Sequence, residues 1–307
     1  MRKSARGRPI TVVSIAGSDS GGGAGIQADL LTFAAHRVYG ATVIVAGTAQ
    51  NTRGVTAIEE FTPAFVRRQI DAVFMDLEPD AVKIGMLAKP RHVRAVAEAL
   101  REHSARNVVL DPVMVAKGGA ALVSRGGIAA IRDVLLPLCD VVTPNLEEAA
   151  ALAALEVSTD AQRRSAARRI AELGARAVLV KGGHGKGDRI RDLLWHDGRF
   201  RQWEHARIPG GAVHGTGCTL SSAIAANLAS GLPLERAVAR AIAYVRRAIA
   251  RGVYPGRGIG VPGRLPGRLR TRSGSGTRTS RTPPPRSRSA RRRGSRRAPG
   301  PGSSRLP

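Results

Sequence analysis

Short apolar runs recur along the first two-thirds of the chain, separated by stretches of helical periodicity. The runs are TVVSIA (11–16), ATVIVAG (41–47), AVKIG (81–85), NVVLD (107–111), DVVT (140–143) and RAVLVKG (176–182). Their apolarity is continuous rather than alternating, as in strands of a parallel sheet buried on both faces. Helical patterns fill the intervals at 61–77, 91–103 and 162–174, the last ending in Gly174, a residue suited to a C-cap. In IRDLLWHDGRFRQW (190–203) two strand-like runs flank Asp197-Gly198, a hairpin signal that places an antiparallel pair at the sheet edge. Two further helices are expected over 219–230 and 234–252. The alternation predicts an α/β fold: a doubly wound, mostly parallel central sheet with helices on both faces.

Composition changes this picture at one end. After Gly260 the sequence is Arg, Pro, Ser and Gly with almost nothing to bury, so 261–307 is expected to be a disordered tail behind a 1–260 domain. The formal net charge is +26, and the tail carries 14 arginines and no acid, which leaves +12 for residues 1–260. Aromatic residues are only 3% of the chain, so its core must be built from Ala, Val, Leu and Ile. Cys139 and Cys218 give no disulfide framework and favour a reducing compartment. The basic start MRK and the short apolar run after it read as a first strand rather than a signal segment. Residues 208–234 lack charge, but Pro209, Gly210, Gly211, Gly215 and Gly217 rule against a membrane span. A soluble, cytoplasmic protein is expected.

In a doubly wound sheet, ligands gather at the carboxyl ends of the strands, and the polar punctuation of this sequence falls there. GSDSGGGAG (17–25) leads from the first strand into a helix. It lacks the Gly-Lys-Ser/Thr of a P-loop and the spacing of a dinucleotide fingerprint. Asp29, in the helix that follows, could receive a donor from a polar ligand; a tight turn with a solvated aspartate is the other reading. Gly215-Thr216-Gly217-Cys218 follows a glycine-rich turn and opens a helix. Free amides and the helix dipole there suit an anion, and the dipole would favour a Cys218 thiolate. A simple helix cap remains open. Asn145 and Glu148 lie three apart past the fifth strand candidate, either ordering Mg²⁺ beside phosphates or forming a capping box. Asp111, Lys181, Gln50 and Asn51 stand past other strand ends.

The set IAGSDSGGGAGIQADL, AQNTRGV, KIGMLA, VLDPVMVAKGG, TPNLEEAA, VKGGH and HGTGCTLSSAIAA resembles, in that order and over roughly 10–260, the ribokinase-like superfamily. Within it the chain is similar to the hydroxymethylpyrimidine/phosphomethylpyrimidine kinases of thiamine biosynthesis. The resemblance implies a three-layer α/β/α kinase that phosphorylates 4-amino-5-hydroxymethyl-2-methylpyrimidine, then its monophosphate, with ATP as co-substrate and Mg²⁺ as cofactor. It implies a pyrimidine pocket of Gly17, Asp29, Gln50, Met86, Val113 and Cys218. It implies an anion hole of Gly215, Thr216 and Gly217, with Cys218 as base where sugar kinases of the superfamily usually carry an aspartate. Asn145 and Glu148 match its Mg²⁺/phosphate-ordering pair, Asp111 a nearby polar position and Lys181 a nucleotide-side position. Pyridoxal is the alternative acceptor on the same fold. A homodimer is expected, and nucleic acid is a partner only if the arginine tail functions. One departure stands out: relatives run from a GxGxG stretch into a proline and a histidine, whereas GRGIG (256–260) is followed here by VPGRLPGR, as if the terminus had been replaced.

Overall fold

A computed structural model describes residues 7–114, 123–183, 185, 187–211 and 214–265. Nine strands form one sheet: β1 (Thr11–Asp19), β2 (Tyr39–Asn51), β3 (Gly54–Glu60), β4 (Ala81–Ile84), β5 (Val108–Leu110), β6 (Val141–Val142), β7 (Ala177–Val180), β8 (Arg189–His196) and β9 (Arg199–Ala206). Their order is β3-β2-β1-β4-β5-β6-β7-β8-β9. The six strands β2, β1, β4, β5, β6 and β7 run parallel, while β3 pairs antiparallel with β2, β8 with β7 and β9 with β8. The doubly wound sheet is therefore as expected. The chain leaves β1 toward β2 on one side and returns to pair β4 on the other, so the strand order reverses at β1.

Successive side chains of β1 serve opposite faces, as strand geometry requires. Val13 and Ile15 join the core beneath α2 (Pro63–Leu77), α3 (Pro90–Glu102), α4 (Arg125–Ala130), α5 (Leu146–Ala153) and α6 (Asp160–Glu172). Val12 packs on the other face with Phe33 of α1 (Gly25–Ala35) and with α7 (Thr216–Ala229) and α8 (Leu234–Ala250). Asp197 (φ 47°) and Gly198 (φ 75°) both take the left-handed turn that joins β8 to β9. Gly174 (φ 110°) ends α6 as anticipated.

Three features depart from expectation. Strand β1 continues past Ala16 through Gly17 and Ser18 to Asp19, with its register against β2 shifting between Ala16 and Ser18. Strand β3 carries no apolar signal because its side chains are mostly exposed, and AQNTRGV turns out to hold the β2–β3 turn. The structured body also runs past Gly260. Val261 exchanges two 2.9 Å backbone hydrogen bonds with Val253, and the Gly263 amide donates to Ala248 O at 2.9 Å. The rest of the expected tail, and VLDPVMVAKGG beyond Met114, lie outside the described residues. Among the described residues no helix is long and apolar enough to cross a membrane.

Candidate active site

The carboxyl ends of β1, β2, β4, β5, β6 and β7 and the first turn of α7 open on one cavity of about 620 Å³. Gly17, Gln50, Met86, Asp111, Val113, Asn145, Glu148, Lys181, Gly215, Thr216, Gly217 and Cys218 all line it. Residues 201 positions apart thus meet where the parallel sheet ends, the position expected for a ligand in this architecture.

The two glycine loops behave differently. In the first, the Asp19 carboxylate accepts from the amides of Gly21 (2.8 Å), Gly23 (3.0 Å) and Ala24 (2.8 Å). The loop is thereby folded around its own anion. Burial alone would raise the Asp19 carboxyl, but hydrogen bonds from His214, Gly21 and Ala24 hold it below the usual carboxylate range. His214 Nε2 lies 3.2 Å from both Asp19 Oδ2 and Gln50 Nε2, so it ties this loop to the end of β2. In the second loop, Gly215 (φ 77°) is the N-cap of α7 and supplies no capping side chain. Helix geometry leaves first-turn amides without intrahelical acceptors, a setting that suits an anion.

Gly17 makes room rather than contact: a Cβ there would sit 2.6 Å from Met86 Cε. Met86 and Val113 form apolar wall, and Gln50 offers an amide whose Oε1 accepts from Thr48 Oγ1 at 3.1 Å. Together these residues fit a flat polar-edged ring.

Asp29 is the correction. It is fully buried and does not line the cavity. Its carboxylate accepts from Ser14 Oγ (2.6 Å), Ser222 Oγ (2.7 Å) and Lys83 Nζ (2.7 Å), which occupies it inside the protein. Lys83, absent from the expected site, reaches the cavity wall from β4. Burial would lower its ammonium pKa, but the charge and hydrogen bond of Asp29, with the charge of Asp111, raise it instead.

Cys218 also differs from expectation. Burial, followed by the like charges of Asp111 and Asp29, pushes its thiol up to about 11 despite Lys83 and the Gly25 amide. Desolvation outweighs the helix dipole, and Cys218 rests as a thiol rather than a thiolate.

Asn145 and Glu148 form the full capping box: the Glu148 amide donates to Asn145 Oδ1 (2.9 Å) and the Asn145 amide to Glu148 Oε2 (2.7 Å). The same Glu148 oxygen lies 3.6 Å from Lys181 Nζ, which donates to Asp111 Oδ1 at 2.7 Å. A Cβ on Gly217 would sit 3.3 Å from both Asp111 Oδ2 and Lys181 Nζ, which brings this cluster against the α7 terminus. Burial pushes Glu148 up to about 7, with Lys181 opposing and Asp111 assisting. Among the described residues no group of three or more His, Cys, Asp or Glu forms a metal cage. A carboxylate that is costly to ionise without a cation does suit a metal arriving with phosphates.

A stability test follows from Glu148. A raised carboxyl pKa means that the folded state holds a proton the unfolded chain has lost, so stability falls as pH rises from about 4.5 through about 7. Glu148→Gln keeps an acceptor for the cap and lacks that fall. Above pH 7 the variant should be more stable by on the order of 2 kcal/mol, a Tm gain of about 4–8 °C that shrinks below pH 5. A gap independent of pH in thermal melts would refute the assignment.

Comparison with known proteins bears on the whole cavity. Residues 19–262 match the family model for phosphomethylpyrimidine kinase. The chain is 53% identical over 239 residues to the hydroxymethylpyrimidine/phosphomethylpyrimidine kinase of Rhizobium meliloti, covering 78% of this chain and 90% of that one. It is 49% identical over 250 residues to the thiamine biosynthesis bifunctional protein of Geobacter sulfurreducens, covering 81% of this chain but spanning only 51% of that longer protein. Among solved structures, the ADP complex of Bacillus subtilis pyridoxal kinase superposes with a TM-score of 0.77 at 34% identity, covering 83% of this chain and 97% of that one.

Proposed function

The chain belongs to the phosphomethylpyrimidine kinase family, and from that premise we propose the reaction its cavity carries. It transfers the γ-phosphoryl group of ATP to the hydroxymethyl group of 4-amino-5-hydroxymethyl-2-methylpyrimidine, and then phosphorylates the monophosphate to the diphosphate. The observation that carries this reading is the meeting in one cavity of a wall suited to a flat ring (Gln50, Met86, Val113) and the α7 N-terminus at Gly215, which supplies no capping side chain.

The aminopyrimidine edge meets the Gln50 amide, while Met86 and Val113 hold the ring faces. This orientation brings the hydroxymethyl carbon toward Cys218. The first-turn amides of α7 stabilise charge on the transferring phosphoryl group, and Lys181, already held by Asp111, adds a positive charge beside them. Asn145 and Glu148 would hold Mg²⁺ with the nucleotide phosphates, where the ion neutralises phosphate charge. Cys218 accepts the alcohol proton only as a thiolate, the form that neighbouring Lys83 favours. The monophosphate is already an anion and needs no such acceptor. A cytoplasmic homodimer belongs to the same reading.

Pyridoxal is the second acceptor to consider, given the structural likeness to a pyridoxal kinase; the higher identity to the pyrimidine kinases favours the pyrimidine. ADP release measured side by side with the pyrimidine alcohol, its monophosphate and pyridoxal tests the assignment. A clear preference for pyridoxal would overturn it. In the same assay, Cys218→Ala should slow alcohol phosphorylation by about 100-fold and monophosphate phosphorylation by less than about threefold. Equal losses would remove Cys218 from the role of proton acceptor.

A further inference from the structure

The segment just past Gly260, where the stretch matched by the family model ends, delivers one side chain back to the site. Arg264 is 3% exposed. The backbone that carries it is anchored to α8 by Gly263 N to Ala248 O (2.9 Å) and by Tyr244 OH, which donates to Arg264 O at 2.7 Å. Its guanidinium runs under the α7 terminus. Nη2 donates to Gly23 O at 2.6 Å and to Gly215 O at 3.4 Å, and Nε donates to Thr219 Oγ1 at 2.9 Å. Thr219 Oγ1 in turn donates to Gly215 O at 2.7 Å.

Two features set this arginine apart from a structural strut. Its acceptors are all neutral carbonyl or hydroxyl oxygens, and among the described residues no carboxylate pairs with it. A buried guanidinium stays charged, and burying one without a counter-ion is costly, so a neutral donor would serve better if bracing were the only task. It also joins both glycine loops, holding Gly23 of the first and Gly215 of the second on one planar group. We propose that Arg264 is a positioning residue for phosphoryl transfer: it fixes the Gly215 N-cap against the Gly23 loop and places an unpaired positive charge behind the anion hole. The charge acts on whatever anion occupies the first turn of α7, whether the transferring phosphoryl group or the Cys218 thiolate. This inference rests on the phosphoryl-transfer reading of the cavity.

The test uses the full-length chain with Arg264→Met, which keeps the length and loses the charge, and Arg264→Lys, which keeps the charge and loses the fork. In Arg264→Met, kcat on both acceptors should fall by about 10- to 100-fold with KM for the pyrimidine within about threefold of wild type. The pH profile of Cys218 alkylation by iodoacetamide, which needs no substrate, should move to higher pH by about half a unit or more. Arg264→Lys should restore both quantities at least halfway. A kcat within threefold of wild type, an unmoved alkylation profile, or losses that lysine does not restore would each overturn the proposal. Should Arg264→Met not fold, Arg264→Gln, which keeps N–H donors and loses the charge, takes its place: a profile displaced to higher pH supports the charge role, and an unmoved one sinks it. Absence of kinase activity in the wild type would strike the parent reading, while the alkylation profile still judges Arg264.

Discussion

Replacing Lys83 with methionine is expected to cost about 3–5 kcal/mol of folding free energy, among the largest effects of any single change in this protein. The reason lies in where the β4 lysine points. Its ammonium and the Asp29 carboxylate are both fully buried and 2.7 Å apart, with Ser14 and Ser222 as the only other donors to that carboxylate among the described residues. Removing the cation strands a carboxylate in an interior where its desolvation has no Coulombic offset. The double variant Lys83→Met/Asp29→Asn should recover part of the loss, because an amide needs no counter-charge and still accepts from a serine. Urea midpoints of the two variants measure this. A single variant within about 1 kcal/mol of wild type would show that the pair is not a buried ion pair in solution.

Gly215→Ala is expected to lower kcat by at least about 100-fold on either acceptor. Gly215 has φ 77°, a conformation that costs an L-residue about 1–2 kcal/mol. The space is also taken: a Cβ there would overlap the Gly23 carbonyl oxygen and sit 2.6 Å from Arg264 Nη2. Relief requires the Gly23 loop and the α7 terminus to separate, which moves the first-turn amides of α7. Steady-state rates and thermal melts on the purified variant check both halves. An active variant of unchanged stability would mean the two loops are not in contact.

The parallel strands could be read because burial on both faces leaves an unbroken apolar run. β3 could not be, because its exposed side chains follow no core, and its residues fit a loop as well as an edge strand. The same logic separates the site residues. Gln50, Asp111 and Lys181 were visible as polar punctuation near strand ends, whereas Gly17 and Met86 were reached through the family resemblance. Asp29 was visible too, but its occupation was not, since its partners come from positions 14, 83 and 222. The signal that could have found Lys83 was a charge inside AVKIG, a run apolar enough to be buried on both sides; such a lysine must have a partner. For Cys218 the helix dipole could be read from sequence, whereas the desolvation that outweighs it depends on the finished wall around it. Asn145 and Glu148 had two open readings. The capping box is formed, and it presents the same carboxylate to Lys181, so the cap and the Asp111–Lys181 cluster share one residue.

The clamp on Gly23 has a consequence for biosynthesis. Arg264 bonds to a carbonyl 241 positions earlier in the chain, and Ser222 to a carboxylate 193 positions earlier. Domains fold as they emerge from the ribosome, N-terminal parts first. A nascent chain that has reached β9 already contains every strand of the sheet, yet neither the α7 terminus nor the arginine behind it has been made. The fastening is therefore late: the α7 terminus can be tied to the Gly23 loop only after α8 and the stretch to Arg264 have been made. A chain that stops at Gly260 would carry the whole sheet and a poorly fastened site.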